Sequence, residues 1–430
     1  MRPQAEVVFY FSPRSWYRGE NPSQYEEVLI MIRKDVEAVV RNSGLWNGDQ
    51  EQSHAFVLSP AILEVSEEKA KELNSLARAL RECLSGIGCL LKEPFVSEIV
   101  RASTPRSYDL VQCLHPWKVP VVCKVDMMED MNGEWWIAEI DGVNKRGFGW
   151  ALLERRVTQT LYSSARLPEN LCAPLARAVS ARGEKRFLLI APSREMYYKP
   201  GFFIFAREME KFGIEVIMAS QRKALELVSK GIVHILLDWP IVDHDELESE
   251  IKNKYMKGEI DFLLPPKPFF GSKAMLAVLR NDHEDLELEK LLLANIPGDS
   301  LAIVRGFIPE TRLVGKEEAI LRGGQPVIKK VFASGMNGVW FEDDEKYVLA
   351  LQRAYDHPYS HVIQRKVVPG MRSFPYFTSE GELKKDFFHI RVIVNFDLEG
   401  GRFTDLDITA TKDRKVHATK DCLQFGAVLV

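Results

Sequence analysis

Apolar residues recur at spacings of three and four positions in two N-terminal segments, residues 25–41 and 66–91. This periodicity is typical of amphipathic helices, which turn one apolar stripe towards a core. Ser66 precedes two glutamates, so its hydroxyl can cap the second helix while the acidic side chains suit the helix dipole. The pattern predicts a mixed, helix-rich N-terminal region over residues 1–118, to which we assign no chemistry.

The pattern changes to strands at residues 119–128, an apolar run that contains Asp126. A turn-like Asp-Met-Asn-Gly sequence follows, and residues 134–141 again have a strand pattern. We expect these two strands to pair as a hairpin. Glu139 and Asp141 are two positions apart and therefore lie on one face of the second strand.

Strand and helix patterns alternate in the middle of the chain. Strands are predicted over 186–191, 214–218 and 232–238, with helical segments over 201–213 and 222–231 between them. Helical connections of this length favour a small parallel α/β sheet. No G-x-G-x-x-G sequence follows any of these strands, so a dinucleotide site has little support.

A proline-rich stretch over residues 263–269 predicts a domain boundary. Helical patterns follow at 272–280 and 284–294, and from there we expect strands to the C-terminus. The predicted division of the chain is 1–118, a hairpin segment over 119–180, an α/β domain over 185–264, and a C-terminal part over 265–430.

Composition narrows the possible partners. The chain has 430 residues, of which 46% are hydrophobic, enough for several buried cores. Its 57 Lys and Arg and 61 Asp and Glu give a formal net charge of -4, so no excess of positive charge attracts nucleic acid or anionic lipid. We expect neither nucleic acid nor a membrane as a partner, and any bound anion must be held by a local site.

The cysteines and the apolar runs predict a compartment. Six cysteines form no Cys-x-x-Cys pair and have no histidine at zinc-ligand spacing, which is typical of reduced thiols in the cytosol. No apolar stretch approaches the roughly 20 residues that a membrane span needs. The apolar run over 7–11 is too short for a signal-peptide core. We therefore expect a cytoplasmic protein.

Residues 325–341 combine lysines with glycines in a hairpin pattern. Lys329 and Lys330 end its first strand, and Gly335 and Gly338 lie in the loop that follows. Such a hairpin can fold over a polyphosphate, because glycines let backbone N–H groups approach the oxygens and an ammonium supplies compact charge. An ordinary hairpin with a glycine turn explains the same pattern.

Two further strands make the hairpin more informative. Residues 361–369 form a strand pattern with Gln364 and Lys366, and residues 386–395 form another that presents Arg391. This order of segments resembles the nucleotide-binding half of the ATP-grasp superfamily. The resemblance implies that Lys329 or Lys330 contacts phosphate, that the Gln364 strand holds adenine, and that Arg391 acts on the phosphates or the acyl phosphate.

The magnesium ligands that the resemblance implies are upstream. Asp126, Glu139 and Asp141 occupy the metal-ligand positions, with Asp141 where the superfamily has Asn. This order resembles the circularly permuted glutathionylspermidine synthase-like ATP-grasp family, and Lys273 matches a lysine on that family's helix after the boundary. The implied fold is an α/β ATP-grasp fold with a small parallel pre-ATP-grasp domain, and the implied cofactors are ATP and Mg²⁺.

Each of these residues also has a purely structural explanation. Arg391 could form an ion pair with Asp386 or Asp407, and Lys273 could be a surface lysine. Glu139 and Asp141 could be solvated carboxylates on an edge strand.

The resemblance implies an ATP-dependent carboxylate–amine ligase that forms an amide or peptide bond through an acyl phosphate. An ATP-grasp small-molecule kinase and a degenerate, non-catalytic ATP-grasp scaffold are the alternatives. A basic loop over residues 142–150 suggests an acidic substrate, although a solvated loop explains it equally well. The sequence leaves open the identity of the carboxylate and the amine, small molecule or peptide, and the oligomeric state.

Overall fold

The computed structural model of the chain describes residues 22–43, 59–104, 111–191, 198–239, 245–315, 321, 323–333, 338–378, 380–413 and 422–430. This part of the chain is a mixed α/β structure. Its helices are α1 (Pro22–Asn42), α2 (Glu67–Leu90), α3 (Pro94–Ser103), α4 (Phe148–Leu161), α5 (Cys172–Ala181), α6 (Lys199–Glu210), α7 (Gln221–Ser229), α8 (Asp245–Met256), α9 (Lys273–Arg280), α10 (Leu286–Asn295), α11 (Gly298–Phe307) and α12 (Tyr347–Asp356).

The strands of the same residues form sheets of two, four, six and four strands. They are β1 (Leu63–Val65), β2 (Val122–Glu129), β3 (Trp135–Asp141), β4 (Arg186–Ile190), β5 (Glu215–Ala219), β6 (Ile235–Leu236), β7 (Asp261–Phe262), β8 (Thr311–Leu313), β9 (Pro326–Lys330), β10 (Val339–Phe341), β11 (His361–Arg365), β12 (Met371–Phe377), β13 (Leu383–Asp397), β14 (Arg402–Thr411), β15 (Leu423–Phe425) and β16 (Ala427–Leu429).

The largest sheet has the order β15-β14-β13-β2-β3, with β12 paired to β13. Its β2–β3 hairpin confirms the predicted pairing, with Asp126 opposite Glu139. The turn between the two strands depends on Asp130, whose Oδ1 accepts backbone N–H bonds from Asn132 and Glu134. Gly133 in this turn has a φ of 82°, a left-handed conformation that glycine adopts without steric cost.

The two faces of this sheet differ in polarity because side chains alternate along each strand. One face carries apolar residues such as Val125, Val392 and Ile408, which form one core with the apolar stripe of α2. Ser66 caps α2 as predicted, since its hydroxyl accepts a bond from Lys69 N. The other face carries polar residues, and α4 packs over its β14–β15 end.

The middle of the chain confirms the predicted parallel sheet, which has the order β5-β4-β6-β7. Alternate residues of β4 belong to different cores: Phe187 and Leu189 to one, Leu188 and Ile190 to the other. The sheet is therefore covered on both faces, as parallel sheets generally are.

The last four-stranded sheet has the order β10-β9-β11-β8 and contains the predicted lysine hairpin as β9 and β10. The expectation of strands alone after residue 294 was wrong, because α11 and α12 lie in that stretch. Apolar positions of α11 such as Leu301 and Val304 pack against α2, a contact between segments more than 200 residues apart. The predicted division at residues 118, 180–185 and 264 stays a prediction.

Candidate active site

The polar face of the largest sheet carries acids and bases side by side. Asp126 and Glu139 are paired in register across β2 and β3, and Arg391 on β13 approaches Asp126 with an Nη1–Oδ2 distance of 3.6 Å. The Arg391 guanidinium also donates to Thr409 Oγ1 at 3.3 Å. These side chains share a face because the positions alternate, as the sequence pattern predicted for Glu139 and Asp141.

The sheet formed by β8–β11 supplies the opposite wall. Lys329 Nζ donates to Gln364 Oε1 at 2.6 Å and to the Ala138 carbonyl of β3 at 3.3 Å, so the lysine joins the two sheets. Gln364 is fixed in turn, because its Nε2 donates to Thr311 Oγ1. The lysine ammonium is thus held in place before any ligand arrives.

The helix α9 closes one end of the site. Ser272 caps it, and the backbone N–H of Lys273 donates to the Val331 carbonyl just after β9. Lys273 is nearly fully buried, and its Nζ lies 2.9 Å from Glu139 Oε2 and 3.1 Å from the Ala333 carbonyl. Lys273 is therefore not a surface lysine, which was the alternative explanation that the sequence allowed.

Between these elements lies a cleft with about 870 Å³ of empty space, part of it open to solvent. Its wall combines apolar and polar side chains. The lining residues are Asp126, Met128, Ile137, Ala138, Glu139, Lys273, Val327, Lys329, Val339, Phe341, Gln364, Arg365, Lys366, Val367, Pro369 and Arg391.

The cleft has an excess of positive charge, although the whole chain has a net charge of -4. Its cationic side chains are Lys273, Lys329, Arg365, Lys366 and Arg391, whereas Asp126 and Glu139 are its acids. A concave wall with surplus cations and an apolar section suits an anion that also carries a flat apolar group.

Burial shifts two pKa values inside the cleft. Desolvation, helped by the charge of Lys273, lowers the pKa of Lys329 to about 8, against the opposing effect of Glu139 and Asp126. Burial also raises the pKa of Glu139; the neighbouring charges of Asp126 and Asp141 add to this, while Lys273 opposes it. Perturbed groups of this kind cluster at functional sites.

The structure brings most of the predicted residues together and leaves some apart. Those lining the cleft are Asp126, Glu139, Lys273, Lys329, Gln364, Lys366 and Arg391. Lys330 is exposed at the end of β9, outside the cleft lining. Gly338 is adjacent to Lys330 and has a φ of 90°, and Gly335 lies outside the described residues.

Asp141 is held by hydrogen bonds and an ion pair within the protein. Its carboxylate accepts bonds from the Val143 N–H and the Asn144 amide, and Lys124 Nζ lies 3.1 Å from its Oδ2. Lys124 is buried and also donates to the Arg146 carbonyl. Over the described residues, no group of three or more His, Cys, Asp or Glu side chains could hold a metal ion. The three-carboxylate magnesium site stays a prediction.

Sequence reasoning missed two parts of the cleft. Arg365 stacks over Trp136, with its guanidinium carbon 5.3 Å from the ring centroid, and so joins the two sheets a second time. Phe341 lines the cleft and has the Lys366 ammonium 5.5 Å from its ring. Two features of the sequence could have revealed these residues: the aromatic residue that ends β10 and the arginine next to Gln364. Neither Asp386 nor Asp407 forms the ion pair of Arg391 among the described residues: Asp386 pairs with Lys412, and Arg391 pairs with Asp126.

Comparisons with known proteins add little. No family model matches the chain, and no curated protein matches it. Among solved structures, the chain is similar to a candidate gamma-glutamylcysteine synthetase from Methylobacillus flagellatus KT, with 10% identity, a TM-score of 0.29, and 79% of this chain and 84% of that chain covered. A similarity of this size carries no argument here. Within the described parts of the chain, no helix has the length and hydrophobicity to cross a membrane.

Proposed function

We propose that the cleft binds Mg-ATP and that the chain is an ATP-dependent carboxylate–amine ligase of ATP-grasp type. The observation that carries the proposal is the surplus of cations in a cleft between two sheets, beside an apolar section. A triphosphate matches the cations, and an adenine ring matches the apolar section. The order of segments along the chain, which resembles the circularly permuted ATP-grasp ligases, selects the reaction.

Each part of the cleft has a role in this proposal. Lys273 and Lys329 bind phosphate oxygens. Hydrogen bonds to the protein already hold both ammonium groups in place. Adenine lies against Val327, Val339 and Phe341, beside the strand that carries Gln364. By the resemblance, the hairpin loop with Gly335 and Gly338 would cover the phosphates; residues 334–337 of this loop lie outside the described residues.

The acidic residues fit a magnesium ion that is shared with phosphate. Mg²⁺ is usually held by one or two carboxylates together with substrate phosphates, and Asp126 and Glu139 are two carboxylates in register on one face. When bound, the ion neutralises charge on the phosphates. Asp141 can be a third ligand only if its carboxylate breaks its ion pair with Lys124.

Arg391 completes the chemistry at the floor of the cleft. A substrate carboxylate would attack the terminal phosphorus and expel ADP to form an acyl phosphate, from which an amine would displace phosphate and lose a proton to form the amide. A guanidinium fixed beside Asp126 can stabilise negative charge on the transferring group without having to reorganise. Lys329, on the opposite wall, would do the same from the other side.

The first experiment is a thermal-unfolding assay with MgATP. Ligand binding stabilises the native state by about 2.7 kcal/mol at 100 times the dissociation constant, so the wild-type melting temperature should rise. Glu139→Gln should lose most of this shift, whereas Glu134→Gln, exposed on the same hairpin, should keep it. The absence of any MgATP-dependent shift in the wild type would contradict the proposal.

The products separate the ligase from its alternatives. An amide-forming ligase releases free phosphate and ADP when both carboxylate and amine are supplied, whereas a kinase yields a phosphorylated acceptor with ADP. A scaffold that binds ATP without turnover gives the thermal shift and no ADP. A panel of amino acids, short peptides and polyamines, each with ADP and phosphate measured, distinguishes the three.

A further inference from the structure

A row of three polar side chains crosses the sheet formed by β8–β11, from the cleft into the protein interior. Gln364 of β11 is paired directly with Thr311 of β8, and Lys329 of β9 is paired with Val362, two residues from Gln364. Side chains at these positions share one face of the sheet. Lys329 and Gln364 line the cleft, whereas Thr311 lies behind them and is fully buried.

The hydrogen bonds along this row fix which end of the Gln364 amide faces Lys329. The Thr311 hydroxyl has one proton and donates it to the Pro309 carbonyl at 2.7 Å. The hydroxyl oxygen can therefore only accept, and it does so from Gln364 Nε2 at 2.8 Å. An ammonium has donors and no acceptor, so Lys329 requires the other end of the amide, and its Nζ lies 2.6 Å from Gln364 Oε1. The orientation of the amide is thus set from both sides.

The two buried lysines of the cleft have acceptors of different charge. Lys329 Nζ donates to two neutral oxygens, Gln364 Oε1 and the Ala138 carbonyl, and no ion pair of the described residues includes it. Lys273 Nζ instead lies 2.9 Å from the Glu139 carboxylate. A carboxylate cancels the charge of the cation that it holds, whereas a neutral oxygen holds the cation and leaves its charge unmatched.

We propose that Thr311 and Gln364 are positioning residues that hold the Lys329 ammonium by neutral oxygens, so that its positive charge stays available to the phosphates of a ligand. Gln364 supplies the uncharged acceptor, and Thr311 keeps the oxygen of that amide turned towards the lysine. A carboxylate in place of the amide would hold the lysine equally well but would neutralise it. The part of this inference that concerns ligand affinity rests on the proposed function.

Gln364→Glu separates the position of Lys329 from its charge, because the two side chains have nearly the same shape. Titration calorimetry on the full-length chain should find MgATP binding weakened about tenfold. Gln325→Glu is the matched control, since Gln325 is exposed and accepts a bond from Lys366, another lysine of the cleft. Solvent screens the new charge there, so this affinity should stay within about twofold of wild type. If Gln364→Glu binds MgATP as tightly as wild type does, the proposal is overturned.

Thr311→Val tests the orientation of the amide, because it keeps the side-chain shape and removes the hydroxyl. The position of Lys329 is read from the nuclear magnetic resonance signal of its Cε–H groups in lysine-labelled protein, assigned by its loss in Lys329→Arg. Thr311→Val should displace this signal and weaken MgATP binding about fivefold, whereas Thr311→Ser, which keeps the hydroxyl, should leave both near wild type. Thr160→Val, at an exposed site on α4, controls for the substitution itself. If Thr311→Val, folded by circular dichroism, behaves as Thr311→Ser does, the role of Thr311 is overturned; if it does not fold, Gln364→Glu decides the proposal alone.

The two proposals fail in different ways. If the wild-type chain binds no MgATP, the proposed function is wrong, while the Lys329 signal in Thr311→Val and Thr311→Ser still decides whether Thr311 positions the lysine. If MgATP binds with equal affinity to wild type, Gln364→Glu and Thr311→Val, the positioning role is wrong and the proposed function stands.

Discussion

The cleft and the carboxyl edge of the parallel sheet both bring basic residues close to acids, but they use the charge differently. At the parallel edge, Lys145 from the loop after β3 lies 3.0 Å from Asp238, which follows β6. Their side chains are 3% and 5% exposed, so the two opposite charges neutralise each other inside the protein. In the cleft, five cationic side chains surround two acids.

The difference is one of charge balance: acids and bases are matched at the parallel edge, whereas cationic side chains outnumber acids in the cleft. Ligands commonly bind at the carboxyl ends of strands in parallel sheets. The basic residues of the loop over 142–150 suggested an acidic substrate, with a solvated loop as the alternative. In the structure, Lys145 of this loop is paired with Asp238, and Phe148 is buried. The cationic side chains that outnumber nearby acids lie instead in the cleft between the two antiparallel sheets, to which this rule does not apply.

The largest expected effect is on stability and comes from the parallel edge. Asp238→Ala removes the carboxylate that lies 3.0 Å from the buried Lys145 ammonium, and breaking a buried ion pair in this way typically costs about 3–5 kcal/mol of unfolding free energy. Urea unfolding measures this loss. The double variant Lys145→Met with Asp238→Leu should recover most of it, and MgATP affinity should not change in either. A single variant as stable as wild type would show that the pair is not the buried ion pair described.

The next effect is on ligand affinity and comes from the cleft. Lys329→Met removes one phosphate-binding cation, so the dissociation constant for MgATP should rise at least tenfold, equivalent to about 1.4 kcal/mol. Unfolding stability should not fall, because burial already disfavours the charged lysine. Lys330→Met is the matched control, since Lys330 is adjacent but exposed, and titration calorimetry should find its affinity within twofold of wild type.

A smaller effect is expected from pH. Because the pKa of Lys329 is lowered to about 8, its ammonium is mostly charged at pH 7 and mostly neutral at pH 9. MgATP affinity should therefore fall several-fold as pH rises through 8. Lys329→Arg, which stays protonated, should show a flatter profile over the same range. A wild-type affinity that is constant from pH 7 to 9 would contradict the role of Lys329.

The smallest effect sets the baseline for both regions. Lys290 and Glu287 form an exposed ion pair on α10, and neither residue lines the cleft. Lys290→Ala should change neither the urea midpoint nor MgATP affinity measurably, because exposed pairs contribute little. A clear change in either quantity would mean that the assays respond to surface charge in general, and the comparison of the two regions would lose its meaning.

Local patterns predicted the pieces of the fold better than their arrangement. Alternation predicted β2 and β3 and the common face of Glu139 and Asp141, because side-chain direction follows from the strand itself. The helix α11 was missed because its weak local pattern is completed by packing on α2. Likewise, no spacing in the sequence could reveal that Lys145 meets Asp238, since this contact depends on how distant segments pack.

The candidate site was predictable as a set of residues and not as a geometry. Lys273, Lys329 and Arg391 were recognised from the order of motifs, and the structure places all three around one cleft. That Lys329 faces the cleft while Lys330 does not is decided by the pairing of β9 with β11 and by the bond to Gln364. The sequence left this choice open because the two lysines are neighbours.

A crystal structure of the chain with Mg²⁺ and a non-hydrolysable ATP analogue tests the central claim most directly. We expect the analogue in the cleft, with phosphate oxygens within hydrogen-bond distance of Lys273 and Lys329 and the base against Phe341. Density for the analogue at the carboxyl edge of the parallel sheet, near Lys145 and Asp238, would contradict it, as would crystals whose cleft stays empty at saturating analogue.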